Sequence, residues 1–207
     1  MIGGMQGIAD QAEGTGAFDR LRARIERCTR CADALPLGPR PVLRGRPSAR
    51  LLIVSQAPGS RVHESGVSFD DRSGDRLRQW LGLDSACFYD EARVAIMPIA
   101  FCYPGRAGSG DRPPSPHCAP LWPDRLLAHF TEIELTLLVG GYAVRYYLPE
   151  TRRQPLGAVL AEWRRYRPAR FVLPHPSWRS ALWEQQNPWF AAELLPELRA
   201  AVAAATR

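Results

Sequence analysis

The chain has no lysine: all 27 of its basic residues are arginine. Arginine-only usage is first a matter of coding-base composition. It also makes every fixed positive charge a planar fork that grips phosphate well. A second lack is any apolar run near the roughly 18 residues that a membrane span requires, which argues against a membrane partner. No cleavage-type leader precedes the first periodic segment, so the expectation is a soluble cytoplasmic protein. No internal repeat is visible, which excludes a solenoid or propeller array. A disulfide framework is not needed either, because 207 residues suffice to bury a core. The Gly-rich, aperiodic start reads as a flexible tail over 1–17, followed by one domain over 18–207. The formal charge of +6 suits a polyanionic partner such as nucleic acid.

What the chain does have is a patterned set of cysteines. Four of the five form two pairs, Cys28-x2-Cys31 and Cys102-x15-Cys118. Thiolates so arranged can hold a metal or an iron–sulfur cluster and tie an N-terminal segment to a distant loop. The alternative is four thiols that merely pack. Cys87 lies outside the pattern and reads as a packed thiol.

Hydrophobic periodicity supplies the frame. Phe18, Leu21 and Ile25 mark a short amphipathic helix ending at the first cysteine pair. Leu35 to Pro47, rich in proline, reads as extended loop. Continuous apolar runs predict four buried strands, over Ala49–Ser55, Arg93–Pro98, Glu134–Val139 and Phe171–Leu173. Helical patterns fall between and after them, over Ser73–Leu83, Pro120–Phe130, Gly140–Tyr147, Leu156–Tyr166 and Trp189–Ala205. Buried strands alternating with helices predict an α/β protein, a three-layer α/β/α sandwich around a central four-stranded, mainly parallel sheet.

Ligands gather at the carboxyl ends of such strands. The residues just past them are Gln56-Ala-Pro-Gly59, Ile99-Ala-Phe-Cys102, Gly140-Gly-Tyr142 and Pro174-His-Pro-Ser177. His175, stiffened by two prolines, can donate a hydrogen bond to charge on a departing group, or it can simply cap its strand. Pro58-Gly59 makes a tight turn whose N–H groups face a ligand, and Ser60 and Arg61 beyond it suit a phosphate. Phe69 lies in a polar stretch where it can stack on a flat ring or fold back under its loop. His63 is either a second catalytic group or a solvated one, and the aromatics from Trp183 to Phe190 are expected to pack the last helix.

Taken together, these motifs resemble the uracil-DNA glycosylase superfamily, nearest its iron–sulfur-containing family 4. That family shows G-E-A-P-G, then G-x-P-F, a cysteine-rich loop and a late H-P-S. Here stand Ser55-Gln-Ala-Pro-Gly59, Gly66-Val-Ser-Phe69, Cys102-x15-Cys118 and His175-Pro-Ser177. The resemblance implies a structural [4Fe–4S] cluster on Cys28, Cys31, Cys102 and Cys118, with zinc as the alternative occupant. It implies a monomeric hydrolase of base-excision repair that cleaves the N-glycosidic bond of a deaminated base, uracil first, flipped out of DNA. His175 would stabilise charge on the departing base, and Gln56, Ala57, Phe69 and Phe101 would contact it. Pro58, Gly59, Ser60, Ser177, Trp178 and Arg179 would meet the DNA, with the Trp178-Arg179 tip filling the gap in the duplex.

Two departures from the pattern bear on the substrate. Where family 4 has a glutamate and family 1 an aspartate to orient water, this chain has Gln56 and Ala57. Glu64, Asp70, Asp71 and Asp75 are the nearby carboxylates, with Asp71 and Glu64 the candidates to take over. The asparagine that reads uracil's edge is replaced by Pro98, so either backbone groups of Ile99 to Phe101 take its place or another base is preferred. A rival reading is therefore a glycosylase-fold protein that binds damaged or single-stranded DNA with little catalysis. A third is a zinc-clipped α/β module of other function.

Overall fold

A computed structural model describes residues 16–178 and 180–207. The expected tail lies outside the described residues except for its last two positions, which already belong to a helix, α1 (residues 16–26). That helix buries Phe18, Leu21 and Ile25, the stripe that marked it in the sequence.

The strands are β1 (Leu51–Ser55), β2 (Val94–Pro98), the short β3 (Arg106–Ala107) and β4 (Gly110–Asp111), then β5 (Leu135–Val139) and β6 (Arg170–Leu173). Four of them form one sheet in the order β2-β1-β5-β6, and every pairing in it is parallel. All five residues of β1 and of β2 are buried, as strands covered on both faces must be. The remaining two strands form an antiparallel hairpin inside the loop between Cys102 and Cys118. The Pro-rich segment is not free loop throughout. Arg44 exchanges two backbone hydrogen bonds with Ile96 and so covers the outer edge of β2.

The other helices are α2 (Ser60–Ser65), α3 (Arg72–Leu81), α4 (Ser85–Phe88), α5 (Pro123–Leu127), α6 (Gly141–Tyr147), α7 (Leu156–Ala161), α8 (Ser180–Gln186) and α9 (Leu195–Ala205). The expected helix over Leu156–Tyr166 breaks into α7 and a 3₁₀ turn, Trp163–Tyr166, and a π-helical turn, Phe190–Leu194, leads into α9. Three short helices, α2, α4 and α8, were not read from the sequence, since one or two turns cannot display a 3.6-residue period. Phe190 is fully buried, with Trp80, Trp183 and Trp189 edge-on around it. The aromatic tail thus packs the end of the chain onto α3.

Sheet order fixes where ligands can lie. The chain leaves β1 for β2 on one side, then crosses to β5 on the other, so the strand order reverses beside the carboxyl end of β1. One local constraint shapes that end. Phe69 is a non-glycine residue with positive φ, 56°, a sparsely populated conformation for an aromatic residue. The first turn of α3 presses against it, and a Cβ on Gly74 would overlap the Phe69 carbonyl. Gly74→Ala is expected to destabilise the fold by about 1–3 kcal/mol through overpacking, read as a lower urea midpoint. An unchanged midpoint would show that the Phe69 loop yields freely.

Candidate active site and cysteine cage

A crevice of about 660 Å³, open mouth included, lies at the carboxyl ends of β1 and β2. The turn after β1 supplies Gln56, Ala57, Pro58 and Gly59, the α2–α3 loop supplies Ser68, Phe69 and Asp71, and His175 enters from beyond β6. Pro98 closes it at the end of β2, and Asp111 reaches in from the hairpin.

His175 is set by its backbone. Its carbonyl accepts hydrogen bonds from the Ser177 N–H, 2.8 Å, and from the Ser180 hydroxyl. The ring stands against Gly140, where a Cβ would lie 3.6 Å from the imidazole Cδ2 and φ is +85°. Burial holds the imidazole below its ordinary pKa, while the carboxylates of Asp71 and then Asp111 pull it up. Arg76 on α3 fastens the same loop, donating to the Ser177 carbonyl at 3.4 Å and to Glu184 at 2.5 Å.

Asp71 caps α3, its Oδ1 accepting from the Gly74 N–H at 2.9 Å, while still facing the crevice. The Phe69 ring also lines it and stands edge-on to Phe88, 6.2 Å between centroids. Both alternatives for Phe69 thus describe part of its position. The other site residues are distributed less simply. Glu64 is exposed on α2 and does not line the crevice, its carbonyl taking a hydrogen bond from Arg40 at 2.7 Å. Asp75 pairs with Arg78 at 2.7 Å. Ser60 sits exposed on the rim, and Trp178 projects from the loop 79 % exposed. Arg179 lies outside the described residues. His63 is half-buried against the Tyr103 ring, 6.1 Å between centroids, and is not among the crevice residues.

Phe101 needs a correction. It is 1 % exposed and faces the cysteines, not the crevice. The backbone N–H groups beside it are also committed. Ile99 N–H bonds the Ser55 carbonyl, Ala100 N–H the Gln56 carbonyl, and Phe101 N–H the Cys118 sulfur. The first two extend the β1–β2 ladder, and none of the three is free to replace the missing asparagine. Asp111 was not singled out from the sequence, because a carboxylate in a Gly/Pro-rich loop looks like any solvated one. Its only sequence signal was its place inside the Cys102–Cys118 loop.

All four paired cysteines line a second cavity, about 450 Å³ with its open mouth, together with Trp122, Leu121 and Ile25. Trp122 Nε1 donates to Cys28 Sγ at 3.3 Å, Phe101 N–H to Cys118 Sγ at 3.4 Å, and the Arg40 N–H bonds the Cys102 sulfur. Cys31 Sγ lies 3.4 Å from the Ser115 hydroxyl. Burial chiefly pushes the Cys102 thiol up to about 11 and that of Cys118 up to about 12. Thiols so placed lose their protons readily only to a cation held among them. Among the described residues, no three His, Cys, Asp or Glu side chains are set for a single metal ion. A four-thiol set with N–H donors on its sulfurs nonetheless fits a sulfur-ligated group.

A family model for the uracil DNA glycosylase superfamily matches residues 43–199 of the 207. The chain belongs to that superfamily. A glycosylase-like function on DNA follows in general terms, and no helix among the described residues is long and apolar enough to cross a membrane. The match takes in the crevice and the Cys102–Cys118 loop but begins after Cys28 and Cys31.

The crevice makes a testable statement about charge. The His175 ring protons are expected to titrate with a midpoint below the ordinary imidazole value of about 6.5. Asp71→Asn and Asp111→Asn should each lower it further, because removing a nearby anion leaves the imidazolium less stabilised. Proton NMR, with His175→Gln to assign the signal, checks this; a midpoint above the ordinary value would contradict the burial described.

Proposed function

We propose that the chain hydrolyses the N-glycosidic bond of a deaminated base, uracil foremost, turned out of DNA in base-excision repair. The observation that carries this is the meeting of His175, the Phe69 ring and the Gln56–Gly59 turn in one crevice at the strand ends. The flipped base lies against Phe69. As the bond breaks, the sugar gains oxocarbenium character and the base gains negative charge. His175, largely uncharged near neutrality because of its burial, donates a hydrogen bond to that charge. The exposed Trp178 enters the space the base has left, and the arginine-rich surface meets phosphates. Absence of lysine favours a purely hydrolytic course, since no side-chain amine is present to form an imine with the sugar.

Base reading is assigned to Gln56 in place of the lost asparagine. Its carboxamide offers both a donor and an acceptor, which matches the lactam N–H and C=O shared by uracil, hypoxanthine and xanthine. Ser55, Ser68 and Ser73 also line the crevice.

Cys28, Cys31, Cys102 and Cys118 are proposed to hold a [4Fe–4S] cluster, whose role when bound is to clip the N-terminal segment to the loop that borders the crevice. Four thiols that are not set for a single ion among the described residues, with N–H donors on the sulfurs, support this. Protein purified without oxygen should be brown and contain iron and acid-labile sulfide, with visible absorption that dithionite bleaches. Colourless protein with stoichiometric zinc would favour the zinc-clipped alternative.

Release of free base from oligonucleotides carrying uracil, hypoxanthine or xanthine tests the function. His175→Ala should lower release by about 10²–10³-fold, the scale of losing one donor to developing charge, with DNA affinity retained. The rival reading, DNA binding with little catalysis, draws on Gln56 and Ala57, which leave the first motif without a carboxylate. Tight binding with no release from any of the three bases would establish the rival.

A further inference from the structure

We infer that Asp111, carried on the β3–β4 hairpin, supplies the carboxylate that the first motif lacks and takes the proton of the attacking water. This deepens the reading of the chain as a hydrolytic glycosylase and rests on it.

Position is the first argument. A Cβ built on Gly59 would lie 3.8 Å from Asp111 Oδ2, so the carboxylate stands over the same turn that bears Gln56 and Ala57. The missing acid is thus restored in space from another part of the chain. The second argument separates Asp111 from Asp71, the other carboxylate of the crevice. Asp71 spends Oδ1 on the Gly74 N–H at 2.9 Å. That oxygen is committed to the cap of α3, whereas Asp111 is held from outside its own hairpin, by the Tyr103 hydroxyl. Water must reach the sugar from the face opposite the base, and Asp111 is the carboxylate on the turn side. The third argument is support. The hairpin is closed by the Arg112 N–H on the Gly105 carbonyl at 2.8 Å, with Arg106 opposite Asp111 in its register. The buried Tyr103 sets its hydroxyl toward the Asp111 carboxylate.

The step balances as a hydrolysis. A water oxygen bonds to C1′ and its proton passes to the Asp111 carboxylate. The C1′–N bond breaks, and its electron pair leaves on the base, which His175 stabilises. Protonation of the base by solvent gives free base and an abasic sugar bearing the new hydroxyl, and Asp111 returns its proton to solvent.

Single-turnover base release on the three-base panel, with DNA affinity measured in parallel, tests the assignment. Asp111→Asn should lower release about 10²–10⁴-fold at unchanged affinity, the usual scale of a general base. Asp71→Asn keeps the helix cap and should lower it by less than about tenfold. Added formate should return part of the lost rate to Asp111→Ala, which a merely structural role would not allow. An active parent chain with an equally active Asp111→Asn variant overturns this inference and leaves the glycosylase reading intact. Equal losses in both asparagine variants, without formate rescue, also overturn it. A parent chain that releases no base overturns both.

Discussion

The site depends on the burial of β1. Its five residues are enclosed and are paired in parallel on both sides. A one-residue slip would turn every buried side chain to the opposite face, so the register is strongly held. The carboxyl end of β1 is therefore fixed, and with it the Gln56–Gly59 turn. The ladder even continues past the last formal pair, through Ile99 and Ala100 to Ser55 and Gln56. Opposite that turn, β6 delivers His175 at a height set by its pairing with β5, and Gly140 leaves the space the ring fills. Preorganisation of this kind is what the role proposed for His175, acting on charge that exists only in a transition state, requires.

A second dependence runs through the Cys102–Cys118 loop. It leaves β2 at the crevice, turns through the β3–β4 hairpin and returns to the cysteine cavity before α5. Its two ends carry thiols bonded to the backbone of Phe101 and Arg40, and its middle carries Asp111. A loop of this length would ordinarily sample many conformations. Fixing both ends reduces that freedom, so the cysteine cage and the crevice are mechanically one unit although no cysteine lines the crevice.

The sheet was legible because buried parallel strands read as unbroken apolar runs, whereas the order β2-β1-β5-β6 came only from the pairing. His175 and the Gln56–Gly59 turn were legible for the same reason: they stand directly after strands. Phe101 also stands after a strand, yet it points away, because its N–H is drawn to the Cys118 sulfur and its ring fills the wall of the cage. Glu64 failed differently. It lies near the motif in sequence, but α2 turns it outward to solvent, and a six-residue helix left no periodic trace from which to see this. Asp111 was hidden because its relation to Gly59 is purely tertiary, joining positions on opposite sides of β2.

Pro98 gains meaning from the same geometry. A proline has no N–H to give the ladder and belongs at an edge or a strand end. Here it ends β2 opposite Ser55 and closes the crevice with an apolar ring. An asparagine at that point would read one base edge from the β2 side. With proline there, the side-chain amide and hydroxyl groups of the crevice are those of Gln56 and Ser55 at the end of β1 and of Ser68 and Ser73 from the α2–α3 loop and α3. A carboxamide at position 56 cannot serve as base for water, so a chain that reads its substrate there must draw the carboxylate from elsewhere. The hairpin is the element that reaches that turn, and with Asp111 as the proposed base the departures at Gln56 and at Pro98 form one coupled change.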